Sequence, residues 1–174
     1  MKTKLAFLFP ALLALTLAPA GAAVRYVNLA NPSPAPPYTN WASAAKNIQA
    51  AIDVADVGDE IMVTNGVYRI GGRVMDGVMN RVAATNALTV RSVNGPAVTL
   101  IDGGAAVRCS YLGEGVMLAG FTLTNGVADY GGGVWCASAS GVVSNCVLTG
   151  NSAWDGGGGR WVDGRLDDFA RPNE

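Results

Sequence analysis

An internal repeat constrains the fold of this chain more than any other feature. Gly131-Gly132-Gly133 returns as Gly156-Gly157-Gly158, and Phe121-Thr122-Leu123-Thr124 returns as Cys146-Val147-Leu148-Thr149, each 25 residues later. Leu100-Ile101-Asp102-Gly103 precedes Leu123-Thr124-Asn125-Gly126 by 23, and Val107-Arg108-Cys109-Ser110 precedes Val134-Trp135-Cys136-Ala137 by 27. From about residue 72 onward the chain shows no helical periodicity. Short runs of Val, Leu and Thr alternate there with Gly, Asn and Asp, the pattern of strands and turns. A helix-free period near 25 points to a β-solenoid, in which each strand pairs in parallel with its equivalent about 4.8 Å away. Equivalent residues then form ladders. Phe121 and Cys146 are expected to stack inside, with Phe169 as a third member, and Asp102 and Asn125 to stack at a corner. An antiparallel β-sandwich would explain the glycine-rich loops but not four similar offsets. The 23 glycines and the charged fraction of only 14% fit the solenoid: corners need positive φ, and the outer faces are small and polar.

The repeat does not extend to the start of the chain. Lys2 and Lys4 precede an apolar run at 5–17, and Ala18-Pro19-Ala20-Gly21-Ala22-Ala23 closes it. This is the pattern of a secretory signal peptide at 1–23. The apolar run is short for a membrane span, and no other long one follows, so the mature chain is expected to be exported, without a transmembrane segment. Loss of Lys2 and Lys4 moves the net charge from -1 to -3. Residues 24–40 form an extended segment containing Asn31-Pro32-Ser33-Pro34-Ala35-Pro36-Pro37. One helix is expected at 41–54, capped by Thr39 or Asn40 and stopped by Gly58. Its apolar stripe is Ala44, Ile48, Ala51, Ile52 and Ala55. Placed just before the repeats, it would cover the open edge of the first turn. A strand at 60–64, a tight turn at Asn65-Gly66 and extended chain through Val67, Tyr68 and Ile70 follow. The rungs run to 159. The remaining 160–174 hold seven charged residues, a departure that reads as a truncated rung, a fragment of a longer solenoid or a polar cap.

These segments resemble bacterial right-handed parallel β-helix proteins of the pectin-lyase-like superfamily. Asn47-Ile48-Gln49-Ala50-Ala51-Ile52-Asp53, Val57-Gly58-Asp59-Glu60-Ile61 and Asn65-Gly66-Val67-Tyr68 are similar to that group's N-terminal cap and first strands. Residues 98–103 and 115–126 are similar to its early rungs. Gly131-Gly132-Gly133-Val134 with Leu148-Thr149-Gly150-Asn151-Ser152-Ala153 resembles the repeats of chlamydial polymorphic outer-membrane proteins, although Gly133 and Leu148 stand where those repeats prefer Ala and Phe. The resemblance implies an all-β fold: a right-handed parallel β-helix with one N-terminal capping α-helix. It spans lyases, hydrolases and non-enzymatic surface proteins, and a shared fold does not choose among them.

Composition narrows the chemistry. There is no His, so a Ser-His-Asp triad, an imidazole base and a His-ligated zinc are all excluded. The acidic balance argues against nucleic acid as a partner. In the repeats, Asp102, Glu114, Asp129 and Asp155 are scattered. Asp102 reads as a turn residue bonding its own backbone. Asp129 and Asp155 precede the two glycine tracts and, if stacked, could flank a Ca²⁺ ion. Asp167-Asp168, in the tail, is the one Asp-Asp pair. Arg91 and Arg108 lie in expected strands, where outward side chains would be solvated or meet an acidic sugar. Tyr111, Tyr130, Trp135 and Trp154 are candidate sugar platforms or packing residues. Cys109 and Cys136 occupy equivalent positions, as a disulfide or as stacked thiols, and Cys146 has no evident partner. No catalytic, cofactor or metal residue is assigned. The expected function is an exported, non-catalytic, adhesin-like surface domain with a polysaccharide or cell-surface glycan as partner. The alternative is the N-terminal part of a polysaccharide lyase or glycoside hydrolase.

Overall fold

The computed structural model describes residues 21–155, 157–162 and 165–166. The expected signal peptide through residue 20, Gly156, Asp167-Asp168 and Phe169 with its place in a ladder lie outside the described residues. The fold is all-β, built of parallel sheets with very little helix.

The chain visits the same sheets in the same order on successive passes. The first pass begins with β1 (Val24–Val27), followed by one 3-10 turn (Trp41–Ser43) and α1 (Ile48–Ile52). The next contains β2 (Glu60–Val63), β3 (Gly66–Tyr68), β4 (Arg73–Met75) and β5 (Val78–Ala84). Then come β6 (Thr89–Ser92), β7 (Thr99–Asp102) and β8 (Arg108–Leu112). After these come β9 (Met117–Ala119), β10 (Thr122–Thr124), β11 (Val127–Ala128) and β12 (Val134–Cys136). The last pass holds β13 (Val142–Ser144), β14 (Val147–Thr149), β15 (Ser152–Ala153), β16 (Arg160–Val162) and β17 (Arg165–Leu166). One sheet runs β1-β2-β6-β9-β13 and a second β3-β7-β10-β14. A third runs β4-β5-β8-β12-β16-β17, and β11 pairs with β15. Among the described residues, every strand pairing is parallel except β4 with β5 and β16 with β17.

Parallel register makes the core a set of ladders. Ile61, Val90, Leu118 and Val143 stack in the first sheet. Tyr68, Ile101, Leu123 and Leu148 stack in the second. Tyr68, Ile101 and Leu123 are buried, and each such side chain contributes about 1.5–3 kcal/mol. Phe121 and Cys146 do stack at the next position: the Phe121 N–H donates to Cys146 Sγ at 3.4 Å, and the Val147 N–H donates to the Phe121 carbonyl at 2.9 Å. Among the described residues, two buried hydroxyls, Thr99 Oγ1 and Ser110 Oγ, have no hydrogen-bond partner. Each is a local cost of about 1–3 kcal/mol.

The single helix expected at 41–54 is two short pieces. Asn40 does cap the first, accepting from the Ser43 N–H at 2.9 Å. The chain then turns extended at Ala44, and Ala45 bridges Val27 beside β1. Those hydrogen bonds satisfy the edge of β1, and they outweigh helix propensity over these residues. Asn47 starts α1 afresh by accepting from the Ala50 N–H at 2.8 Å, and α1 ends at Ile52, before Gly58. The apolar stripe itself is correct, since Ala44, Ile48, Ala51, Ile52 and Ala55 are all buried.

α1 also covers a strand edge. Gln49 Nε2 donates to the Ala83 carbonyl at 3.0 Å, and its Oε1 accepts from the Ala83 N–H at 2.7 Å. The Gln49 side-chain amide therefore acts as one residue of a missing neighbour strand. Farther along the same edge, β4 folds back on β5 through Asp76-Gly77, both with positive φ (50° and 79°), the geometry of a tight hairpin. Together they leave little of that edge open to another chain.

Two expected registers are wrong. Asp102 pairs with Thr124, an offset of 22, and Ile101 pairs with Leu123. The offset of 23 would place Leu100 beside Leu123 and turn an intermediate residue into the core. Asn125, at φ 53°, takes up the extra residue after the strand, so the Asp102 and Asn125 side chains still meet at 3.2 Å. Ser110 pairs with Val134 and Leu112 with Cys136, an offset of 24 rather than 27. Cys109 therefore lies three residues from Cys136's partner, about 10 Å along the strand, beyond disulfide reach. Cys109, Cys136 and Cys146 are thiols that join no disulfide among the described residues. Burial pushes Cys109 up to about 12. Alkylation of the native protein at pH 8 is expected to spare Cys109 and Cys136, while the unfolded chain labels at all three. A disulfide seen in a non-reducing peptide map would contradict this register.

Candidate functional site

The third sheet carries the candidate site, because the β4–β5 hairpin and the corner before β12 both stand over it. β8 and β12 lie side by side, with Tyr111 paired to Trp135. Between them, the hairpin and the 129–131 corner, is a cleft of about 210 Å³. Met75, Asp76 and Val78 form one wall, Asp129 and Tyr130 the other, and Arg108, Tyr111 and Trp135 the floor. The Tyr130 and Trp135 rings are 6.4 Å apart and tilted by 56°. Three of the four aromatic candidates thus meet at one place. Trp154, 80% exposed, stands apart in a smaller groove with Val127, Ser152 and Ala153.

Arg108 does not face outward to solvent. It is 4% exposed, and its guanidinium lies 5.2 Å from the Trp135 ring centre. Nε donates to the Gly131 carbonyl at 3.2 Å, Nη1 to Asn80 Oδ1 at 3.0 Å and Nη2 to the Tyr130 carbonyl at 3.1 Å. The sequence suggested a surface arginine because a single strand gives no sign of what covers it. The hairpin supplies Asn80 and the 129–131 corner supplies the carbonyls. Burial pulls the Arg108 pKa down, and the negative charges of Asp129 and Asp76 oppose that pull. Arg108 is thus a structural cation that fixes the corner and the Trp135 ring.

Asp76 and Asp129 are both exposed at the rim. Burial raises the Tyr111 pKa, and the negative charge of Asp76 raises it further, against the opposing charge of Arg108. Asp76 was absent from the sequence candidates. Its signal was present all the same: Asp-Gly between two short apolar runs is a strong hairpin mark.

The other candidates are placed elsewhere. Arg91 in β6 pairs with Glu60 on the neighbouring strand. Asp102, 2% exposed, accepts from the Gly104 N–H at 2.7 Å, as a turn residue should, and also from Arg69 Nε at 2.7 Å. Burial raises its pKa, but the Gly104 N–H, Asn125 and Arg69 outweigh this, and the net direction is down. Glu114 is exposed. Asp129 and Asp155 are neighbours through their backbones, the Asp155 N–H donating to the Asp129 carbonyl at 3.0 Å. Among the described residues, no group of three or more Cys, Asp or Glu side chains converges to hold a metal, and no helix is long and apolar enough to cross a membrane. No protein-family model matches the chain, and no curated protein or solved structure matches it either.

Proposed function

We propose that the chain is an exported right-handed parallel β-helix of the pectin-lyase-like kind, with repeats like those of the polymorphic outer-membrane proteins, and that it binds a glycan without cleaving it. The recurring order of sheets supports the helix. Crossovers between parallel strands in one sheet are right-handed in about 98% of cases, which supports the hand. α1 and the Gln49 amide act as the N-terminal cap. The observation that carries the function is the convergence of Tyr111, Tyr130 and Trp135 on one cleft. Aromatic faces stack on the apolar faces of sugar rings, while rim polar groups take the hydroxyls. Asp76 and Asp129 give the alternative reading its one support, since glycosidases work with two carboxylates across a bond.

The test is calorimetric titration with neutral, amino and acidic oligosaccharides, with chromatography of the same mixtures after prolonged incubation. Trp135→Ala is expected to weaken binding by about 2 kcal/mol, roughly 30-fold. Tyr130→Ala, at an exposed corner where folding is not at risk, should move in the same direction. Wild-type affinity in both variants would remove the cleft from the function. Appearance of shortened products that vanish in Asp129→Asn would make the protein a hydrolase.

A further inference from the structure

We infer that the sugar taken by this cleft carries a free ammonium group, so that the ligand class is an unacetylated amino sugar rather than an acidic one. This rests on the glycan reading above and sharpens it. The cleft holds one cation and two anions, and the two signs are presented differently. The three donors of Arg108 that have partners are spent on Gly131, Asn80 and Tyr130, and its side chain is buried beneath the Trp135 ring. It is therefore poorly placed to meet a carboxylate on an incoming sugar. Asp76 and Asp129, by contrast, stand exposed on opposite walls. The Asp76 carboxylate, at the exposed tip of the hairpin, has lone pairs open to a ligand.

Charge and ring chemistry agree. An ammonium between the walls meets two carboxylates and three aromatic side chains, whose ring faces attract a cation. A uronate in the same place meets the two carboxylates as like charges. The second basic candidate for an acidic sugar, Arg91, lies in a different sheet and is paired with Glu60. A cleft of about 210 Å³ has room for about one pyranose, so a single ring sets the preference.

The experiment is titration at pH 6 with three probes: an oligomer of unacetylated glucosamine, its N-acetylated counterpart and an oligogalacturonate. The unacetylated oligomer is expected to bind about tenfold tighter than the acetylated one, with affinity falling as salt is raised. Asp76→Asn and Asp129→Asn should each weaken it roughly fivefold and weaken the acetylated oligomer by less. Asn tolerates the positive φ at position 76, so the hairpin survives the change. Equal binding of the two glucosamine oligomers, or tighter binding of the uronate, overturns the ammonium preference and leaves glycan binding standing. Failure of all three probes, with circular dichroism of a folded protein, overturns both.

Discussion

Gly126→Ala is expected to destabilise the protein by about 3 kcal/mol or more, at or above the upper end of ordinary overpacking. A Cβ on Gly126 would overlap the carbonyl oxygen of Gly132, and a Cβ on Gly132 would overlap that of Ser152. None of these backbones can yield. Gly132 O accepts from the Cys109 N–H at 3.0 Å, and Gly126 O accepts from the Ser152 N–H at 2.8 Å. The reason is space rather than φ, since successive passes approach with no side chain between them. In a chain of this size the loss corresponds to roughly 10 °C in Tm. Gly159→Ala is the control: its nearest neighbour would be Leu148 Cδ2 at 3.9 Å, and no change is expected. Urea melts of the two variants decide the matter, and a Gly126→Ala protein as stable as wild type would show that the passes are less closely packed than described.

Asp59→Ala is expected to cost about 3–5 kcal/mol, because it leaves a buried cation without its main partner. Arg25 occupies the position in β1 that continues the Ile61–Val90–Leu118 ladder, and it is 6% exposed. Its Nε donates to Asp59 Oδ2 at 2.8 Å and its Nη1 to the Pro37 carbonyl at 3.0 Å. Asp59 also accepts from the Ala23 N–H at 2.7 Å and the Asp56 N–H at 3.0 Å. Replacing both partners, as Arg25→Met with Asp59→Ala, should recover part of the loss. Burial pushes the Asp59 pKa up, but the two N–H donors and Arg25 outweigh it, and the net direction is down, as at Asp102. A depressed carboxyl contributes stability that is complete above its unfolded value of about 3.9 and is lost as pH falls through the folded value. Denaturant midpoints should therefore be insensitive to these groups from pH 7 to about 5 and fall below about pH 4. In Asp59→Ala the acid fall should be shallower, and an unchanged slope would remove Asp59 from the acid response.

Strand-forming runs and their approximate period were legible in the sequence because both are local. So was the burial of Ala44, Ile48, Ala51, Ile52 and Ala55, although helical periodicity did not reveal the break at Ala44. Registers were less legible. A string comparison aligns Asp102 with Asn125 because both are turn formers, whereas the strand aligns Ile101 with Leu123 because both need the core. The likeness of Cys109 to Cys136 failed for the same reason. The corner between β11 and β12 has its own length, and only the paired strands fix the ladder. The cleft was half legible. Tyr111, Tyr130 and Trp135 were visible as aromatics, but their meeting depends on residues 76, 108 and 130 being brought together by pairings 28 and 24 residues apart.

The ladders stay in step although the spacing between paired residues varies. Val24 and Glu60 are 36 residues apart, Leu100 and Thr122 are 22 apart, and Val142 follows Met117 by 25. The surplus is taken up at corners and in the hairpin, outside the ladders. Chain length between strands is therefore a nearly free variable of this architecture: doubling a flexible corner loop costs only about 0.6 kcal/mol in closure entropy. New surface can be grown at a corner while the ladders beneath remain as they are. The β4–β5 hairpin, which builds one wall of the cleft without entering the period, is such an addition.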